Sequence, residues 1–245
     1  MIGSVFHAVI YNPLYNGLVF LVGLIPTHDV GIAIIVLTII VRFILFPLSK
    51  RAVQAQLAMK QIAPEVEELK QKYKDNREQQ SKAIFALYKE RDIHPFAGFV
   101  LVLLQFPILI GLYWVFARGG LPMVQASMLY PFVHMPPAVN MEFLGLINMA
   151  GHSLPLALLA SATQYIYTRL SMGPPALKDP SPVESSLSGD LAKSFDLQAR
   201  YILPLMIGAI AFSIVAAAPL YWSTSNIFMI IQEYLSGKRF NGVNQ

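Results

Sequence analysis

The chain has 245 residues, of which 55% are hydrophobic and only 13% are charged, with a net charge of +4, a mean hydropathy of +0.53 and no cysteine. Soluble domains carry about 25% charged residues, so this deficit indicates a membrane protein. The lack of cysteine excludes disulfides, thiol catalysis and cysteine–metal sites.

Long uncharged runs recur along the chain and predict an all-α polytopic membrane protein, because about 20 apolar residues are enough to cross a bilayer. The predicted architecture is a five-span helical bundle with a cytoplasmic helical hairpin and an N-terminal interfacial helix. The predicted spans are residues 30–48, 96–117, 153–172, 201–218 and 220–235. The last two are separated only by Pro219.

Residues 1–29 are uncharged over most of their length and could hold a sixth span. His7, Tyr11 and Tyr15 nevertheless recur every four residues, and such residues share one face of a helix. A polar–aromatic stripe of this kind favours a helix that lies in the membrane interface, and Pro13 would interrupt a straight span. We predict the interfacial helix and keep the span as the alternative.

The basic residues are distributed asymmetrically. Ten of the 18 lie between Lys50 and Asp92, so the positive-inside rule makes that stretch cytoplasmic. With five spans, segment 118–152 then lies outside, whereas 173–200 and the tail 236–245 lie inside. Sixteen basic residues fall on the inside and one, Arg118, on the outside.

Residues 49–95 predict two antiparallel helices joined at the turn signal Asp75-Asn76. A solvated hairpin is the simpler interpretation, and a mobile arm that touches substrate or ribosome is the alternative. Residues 173–200 are rich in Pro, Ser and Gly and predict a flexible cytoplasmic loop. The outer segment 118–152 contains several prolines and is predicted to be irregular.

The sequence lacks the motifs of nucleotide-dependent or metal-dependent enzymes. It contains no P-loop, and none of its five histidines lies in an H-E-x-x-H motif. Ser49-Lys50 cannot form a catalytic dyad, because neighbouring residues on a helix point about 100° apart. The sequence therefore predicts neither an enzyme nor a cofactor or metal site.

Arg42 is a permanent cation inside the uncharged first span, where it costs roughly 2.5–3.5 kcal/mol on insertion scales. It could snorkel toward Lys50, which is about 12 Å further along a helix. The first four spans contain no acidic residue, and Glu233 in the fifth is the nearest candidate counter-ion. We therefore expect a cation without a resident partner, in a cavity open to the cytoplasm that receives an anionic group.

Other polar side chains also lie within the predicted spans. Gln105 and Gln164 are the strongest signals, because a buried amide without partners costs several kcal/mol in hydrocarbon. These residues form either hydrogen bonds that join helices or a shared hydrophilic pocket. The set comprises Thr38, Gln105, Ser161, Thr163, Gln164, Ser213, Ser223, Thr224, Ser225, Asn226, Gln232 and Glu233.

Three ordered segments resemble the YidC/Oxa-type family of membrane protein insertases. From Gly31 the chain reads GIAIIVLTIIVRFILFPLSKRAVQAQLAMKQIAPEVEELKQKYKD, similar to the family's first core span and hairpin, with Arg42 at its characteristic arginine. From Leu87 it reads LYKERDIHPFAGFVLVLLQFPILIGLYWVF, and from Leu220 LYWSTSNIFMIIQ, which resemble the family's L-Y-K-x-x-x-x-x-P…Q-x-P-I-x-x-x-L-Y segment and its final span. Pro219 and His94 depart locally from the family pattern.

The resemblance implies an outward N-terminus, an inward C-terminus and a groove open to cytoplasm and lipid. By position, Arg42 would be the groove cation, and Gln105, Gln164 and Trp222 would line or border the groove. The polar residues Thr38 and Ser225 complete the predicted substrate groove.

The implied function is that of an insertase and chaperone in a bacterial-type plasma membrane. It would pass newly made membrane proteins into the bilayer without nucleotide hydrolysis, alone or with the Sec translocon. Expected partners are nascent membrane proteins, the lipid bilayer, the Sec translocon and the ribosome, without recognition of nucleic acid. A small-solute transporter or channel, or a structural subunit of a membrane complex, stays open as an alternative.

Overall fold

The structure, a computed structural model, describes residues 2–94, 97–117, 120–172 and 197–235. The described residues divide into two compact units, one formed by residues up to Arg42 with those from Pro107 onward, the other by Phe43–Phe106. Most of the predicted loop 173–200 and the whole predicted tail 236–245 lie outside the described residues.

Helices make up most of the described chain. In chain order the elements are α1 (Ile2–Phe6), a π-helical segment (His7–Tyr11), α2 (Asn12–Leu24), α3 (Val30–Ile44), α4 (Phe46–Gln61), α5 (Ala63–Lys72), α6 (Arg77–Glu90), α7 (Ala97–Ala117), a 3-10 turn (Ala126–Met128), β1 (Glu142–Phe143), β2 (Ile147–Asn148), α8 (Leu154–Met172), a second π-helical segment (Gln198–Ile202), α9 (Leu203–Ser213) and α10 (Ala217–Leu235).

The first predicted span, 30–48, is longer than the helix that forms it. Helix α3 ends at Ile44, and Pro47 lies in the first turn of α4. Proline cannot continue a helix, because it lacks an N–H and its ring collides with the carbonyl four residues earlier. In the first turn of a new helix that N–H would have no helical partner, so proline is accepted there.

The boundary between the fourth and fifth predicted spans, 201–218 and 220–235, is also displaced. Helix α9 ends at Ser213 and α10 begins at Ala217, so Pro219 belongs to the first turn of α10. The break lies at Ile214, whose backbone is extended (φ −117°, ψ 170°). The N–H of Ala216 then donates to the Gly151 carbonyl at 2.7 Å, which ties the break to the segment before α8.

The helices of the second and third predicted spans agree closely with their predicted bounds. Helix α7 covers 96–117 apart from Phe96, which lies outside the described residues. Helix α8 begins one residue after the predicted start at 153, because Ser153 caps it: the Leu156 N–H donates to Ser153 Oγ at 3.4 Å.

Helix α8 is central to the packing of the first unit, because it packs against both α9 and α10. The shared core is formed by small and branched side chains, Ala157 and Ala160 on α8 with Ile207 and Ala211 on α9. Small residues allow helix backbones to approach closely in a membrane. Trp222 of α10 packs against this cluster.

The N-terminal helices rest on the second half of α7. A Cβ atom on Gly111 would lie 3.1 Å from Leu14 Cδ1, and the rings of Phe6 and Trp114 are 5.0 Å apart. Tyr15 is fully buried, so the polar–aromatic stripe predicted from the sequence faces protein over part of its length.

By length and hydropathy, one stretch among the described residues, Gly3–Leu24, is suited to crossing a membrane. The pair Val30–Ile44 and Phe46–Met59 would be a second if counted as one broken span. Helices α8 and α10 carry many of the polar residues of the predicted spans, which lowers their hydropathy. The five predicted spans thus remain a prediction.

The middle of α2 binds the outer segment directly. The Asn16 side chain donates to the Met128 carbonyl at 3.0 Å and accepts from the Tyr130 N–H at 2.6 Å. The Gln125 N–H donates to the Tyr15 hydroxyl at 2.8 Å. These bonds hold the middle of the helix, rather than only its end, against the segment that was predicted to lie outside the membrane.

The second unit contains three helices over residues 46–90, where the sequence predicted two over 49–95. The first predicted helix is divided at Ile62, and Pro64 lies in the first turn of α5. Helices α5 and α6 meet at the predicted turn, where Asn76 caps α6 by accepting from the Gln79 N–H at 3.0 Å. One core cluster of this unit is formed by the buried residues Ile62, Leu87 and Ile93, with Ala58, Met59, Val66, Leu69 and Tyr88 packed against them.

Asp29 joins the start of α3 to the β1–β2 hairpin. Its Oδ1 accepts from the N–H groups of Gly31 (2.7 Å) and Ile32 (3.1 Å), which caps the helix. Its Oδ2 accepts from the Leu144 N–H at 2.8 Å. With only 3% of its surface exposed, this carboxylate is held by three donors from two elements that are distant in sequence.

We expect Asp29→Ala to lower the melting temperature of the detergent-solubilised protein, followed by circular dichroism. Three N–H groups lose their acceptor, and each buried donor left unsatisfied costs about 1–3 kcal/mol. Asp29→Asn should be intermediate, because an amide oxygen can still cap α3 while the NH₂ group meets the Leu144 N–H. Glu142→Gln, an exposed site on the same hairpin, is the control and should not change the melting. Identical melting of Asp29→Ala and wild type would contradict the role of this carboxylate.

Candidate functional site

Arg42 is buried in the last turn of α3, with 6% of its surface exposed. Residues four apart share a helix face, and Thr38 and Ile34 precede Arg42 on the same buried face. The Thr38 hydroxyl donates to the Ile34 carbonyl at 2.6 Å, so it is satisfied within its own helix. Arg42 is thus the one charged side chain on this face of α3. Ile34 is apolar, and the hydroxyl of Thr38 is hydrogen-bonded within the helix.

Ser225 of α10 holds the guanidinium. Arg42 Nε donates to Ser225 Oγ at 2.6 Å, and Arg42 Nη2 donates to the same oxygen. Tyr221 on α10 and Tyr167 on α8 lie near Arg42. The expectation of an arginine without a resident partner is therefore wrong: a neutral hydroxyl occupies one edge of the guanidinium.

A second polar network joins α8 to α10 around the Gln164 side chain. Gln164 Oε1 accepts from Trp222 Nε1 (3.2 Å) and Asn226 Nδ2 (3.1 Å), and Gln164 Nε2 donates to Thr168 Oγ1 (3.2 Å). The indole N–H is only a donor, so it fixes which end of the Gln164 amide faces α10. The sequence offered two roles for the buried amides, and these bonds make Gln164 a link between helices.

The same network fixes the orientation of Asn226. Thr163 donates its hydroxyl proton to the Leu159 carbonyl, so its oxygen accepts from Asn226 Nδ2 at 3.3 Å. Both neighbours of Asn226 Nδ2 are thus acceptors, and turning the amide over would place oxygen against oxygen. Asn226 is 1% exposed, and its Oδ1 has no hydrogen-bond partner among the described residues.

Helix α10 connects the two groups, because Ser225 and Asn226 are consecutive. Successive side chains on a helix point about 100° apart, so one faces Arg42 of α3 and the other faces α8. Farther along α10, Glu233 is buried and lies near Tyr167. The candidate counter-ion suggested by the sequence is therefore inside the protein, near a tyrosine that is also near Arg42.

Four of the six predicted groove residues form two hydrogen-bonded pairs, whereas the groove itself stays a prediction. The structure joins Arg42 to Ser225 and Gln164 to Trp222. Gln105 belongs to the second unit, and its expected place in the groove stays a prediction. Thr38 lines a small cavity with apolar neighbours: Leu14, Ile34, Leu37, Val41, Ile108, Leu112 and Tyr221.

Asn226, Thr163, Thr168 and Tyr167 were not among the predicted groove residues. Their signal was the spacing of four between Gln164 and Thr168 and between Trp222 and Asn226, which places each pair on one helix face. Within the described residues, no group of three or more His, Cys, Asp or Glu side chains could hold a metal ion.

Comparison with known proteins gives one family. The family described as 60Kd inner membrane protein matches residues 21–243. A membrane protein insertase YidC of Clostridium tetani is 30% identical over 213 residues, which are 87% of this chain and 84% of the relative.

Two longer relatives agree with this assignment. The inner membrane protein ALBINO3, chloroplastic, of Arabidopsis thaliana is 31% identical over 227 residues, and the match covers 83% of this chain and 45% of the relative. The membrane protein insertase YidC of Actinobacillus pleuropneumoniae serotype 3 is 29% identical over 229 residues, with 92% of this chain and 36% of the relative covered. Because the family match extends over residues 21–243, the chain belongs to the 60Kd inner membrane protein family, the YidC/Oxa-type family that its motifs resemble.

Proposed function

We propose that this protein is a membrane protein insertase that passes newly made membrane proteins into the bilayer without nucleotide hydrolysis. Relatives named membrane protein insertase support the general function. The observation that carries the mechanism is the buried guanidinium of Arg42, held by the hydroxyl of Ser225.

The geometry of this contact suits the capture of a client carboxylate. Nε and Nη2 form the side-on edge of a guanidinium, which matches the two oxygens of a carboxylate in a bidentate pair. Both donors now converge on one neutral oxygen. An Asp or Glu side chain in the client's tail offers one oxygen to each donor, and charge-assisted hydrogen bonds are about twice as strong as neutral ones. The client can therefore displace Ser225.

Two further terms complete the transfer. The client's apolar helix gains about 0.8 kcal/mol for each CH₂ group that enters lipid. The membrane potential, positive outside, draws an acidic tail outward by about 2.3 kcal/mol per charge per 100 mV. Neither term requires nucleotide, so the protein has only to shorten the low-dielectric path with a hydrophilic groove in the inner leaflet.

The proposed placement in the membrane follows the positive-inside rule. Helices α3, α7, α8, α9 and α10 are the five spans of a bacterial-type plasma membrane protein, with the hairpin and the C-terminus in the cytoplasm and the N-terminus outside. Helices α1 and α2 lie in the outer interface. The bonds of Asn16 with Met128 and Tyr130 support this, because a span would meet the outer segment only at its end.

The proposed partners are nascent membrane proteins and the lipid bilayer. The Sec translocon and the ribosome remain predictions from the family resemblance. The second unit offers these partners an exposed surface on the cytoplasmic side. Its helices carry ion pairs there, among them the pair of Glu65 with Arg91.

We expect Arg42→Ala to reduce insertion of acidic-tailed clients into reconstituted vesicles by about tenfold or more, because a hydrogen bond to a charged group contributes about 1.5–3 kcal/mol. Arg42→Lys keeps the charge but loses the bidentate edge, so its activity should fall between those of the wild type and Arg42→Ala. Ser225→Ala should still favour acidic over neutral tails, because the guanidinium that binds the client's carboxylate remains, although α3 loses a bond to α10.

The matched control for this experiment is Arg169→Ala, which removes an exposed arginine from α8. A second control replaces the client's Asp and Glu residues with Asn and Gln, which should remove most of the difference between wild type and Arg42→Ala. Equal losses for acidic and neutral tails would show a structural role for Arg42 and would sink electrostatic capture.

The Gln164 network should stabilise the packing of α8 against α10, the helix that carries Ser225. Gln164→Leu removes an acceptor from Trp222 Nε1 and Asn226 Nδ2. We therefore expect the free energy of unfolding in detergent to fall by about 1–3 kcal/mol, seen as a lower melting temperature. The preference for acidic over neutral clients should persist, because Arg42 and Ser225 remain. Ser213→Ala, an exposed hydroxyl that donates to the Ala209 carbonyl, is the control. Unchanged melting of Gln164→Leu would mean that the network does not join the helices in solution.

A further inference from the structure

The tip of the β1–β2 hairpin carries two exposed leucines. Leu144 and Gly145 have φ angles of 53° and 70°, and the Leu146 N–H donates to the Phe143 carbonyl at 3.0 Å. Two central residues at positive φ are the pattern of a type I′ turn, for which Asn-Gly is preferred. Leucine at positive φ is uncommon and strained. Leu144 and Leu146 are nevertheless 63% and 81% exposed, so neither the local backbone nor a protein core explains these two residues.

The tip is fixed to the start of α3. Asp29 Oδ2 accepts from the Leu144 N–H at 2.8 Å while Asp29 Oδ1 caps α3. A Cβ atom on Gly31 would lie 2.3 Å from the Phe143 ring, so the strand lies directly on the first turn of the helix. Leu144 and Leu146 are therefore held at the level at which α3 begins.

The segment around the hairpin offers almost no charge. Between residues 120 and 153 the sequence contains one Asp, Glu, Lys or Arg, which is Glu142. Met123, Phe132 and Met135 of the same segment are also exposed. A surface that is apolar and nearly uncharged gives a protein partner little for electrostatic orientation, whereas lipid requires only apolar side chains.

We propose that the β1–β2 hairpin is a lipid anchor, in which Leu144 and Leu146 insert into the outer leaflet beside the start of α3. This inference rests on the proposed placement of α3 as a span that begins at the outer surface. An anchor there fixes the height of α3, and with it the depth of Arg42, against the bilayer.

The natural sequence contains no cysteine, so a single introduced cysteine gives one unique label. Leu146→Cys, labelled with the polarity-sensitive fluorophore NBD, is reconstituted as the full chain in phosphatidylcholine vesicles with and without brominated acyl chains. We expect blue-shifted emission, quenching by brominated lipid and protection from iodide. Ala150→Cys carries the same label at an exposed position of the same segment and should show the opposite pattern.

A third label separates this proposal from the proposed function. Ile40→Cys lies on an exposed part of α3 and reports whether that helix is in lipid. Suppose that brominated lipid quenches the label at position 40, whereas the label at 146 is quenched by iodide and not by brominated lipid. This result would overturn the anchor proposal alone. Quenching of both labels by iodide and of neither by brominated lipid would overturn the anchor proposal together with the membrane placement of α3. A label at 146 that resists iodide yet ignores brominated lipid would mean a protein cover, and would also overturn the anchor.

Leu144→Asn supplies a variant that should fold at least as well as the wild type, because Asn tolerates positive φ. Combined with the labelled Leu146→Cys substitution, it should leave thermal unfolding unchanged or raise its midpoint while weakening the quenching by brominated lipid. Undiminished quenching would overturn the contribution of Leu144 to the anchor.

Discussion

A guanidinium buried in a low-dielectric interior has to be hydrogen-bonded by the protein around it, and the first unit is organised around that requirement. Arg42 is always charged, so it cannot escape the cost of burial by losing a proton. Ser225 meets the requirement from α10, which fixes α10 beside the end of α3. The Gln164 network then holds α10 against α8. Arg42 thus links α3 to α10, and the Gln164 network links α10 to α8.

Helix α3 is held by polar groups at both ends. At its start the Asp29 carboxylate accepts three backbone N–H bonds, and near its end Arg42 donates to Ser225. The two residues are about 20 Å apart along the helix, at 1.5 Å per residue. The β-hairpin is bound to one end and α10 to the other. A shift of α3 along its axis would therefore break bonds at both ends, so the β-hairpin helps to fix the position of Arg42 together with its own neighbours.

The sequence identified Arg42 because a charge in an apolar run is visible locally. It could not identify Ser225 as the partner, since the two residues are 183 positions apart and serines are common in membrane helices. Helix ends near Pro47 and Pro219 were misplaced for a related reason: proline marks a boundary, but only the surrounding contacts decide on which side of it the new helix begins. The hydroxyl of Thr38 donates to its own helix, and the place of this residue in the groove stays a prediction.

The carboxylate that caps α3 and the guanidinium in its last turn are bound by different kinds of partner. Between the start of α3 and the β1–β2 hairpin, the Asp29 carboxylate accepts from three N–H groups, and each of these hydrogen bonds is charge-assisted. Next to Arg42 it uses the hydroxyl of Ser225, a weaker acceptor. A carboxylate at position 225 would satisfy the guanidinium better and would also bind it too firmly for a client's acid to compete. In the proposed mechanism, a neutral hydroxyl at position 225 therefore suits a docking site that exchanges its partner better than a carboxylate would.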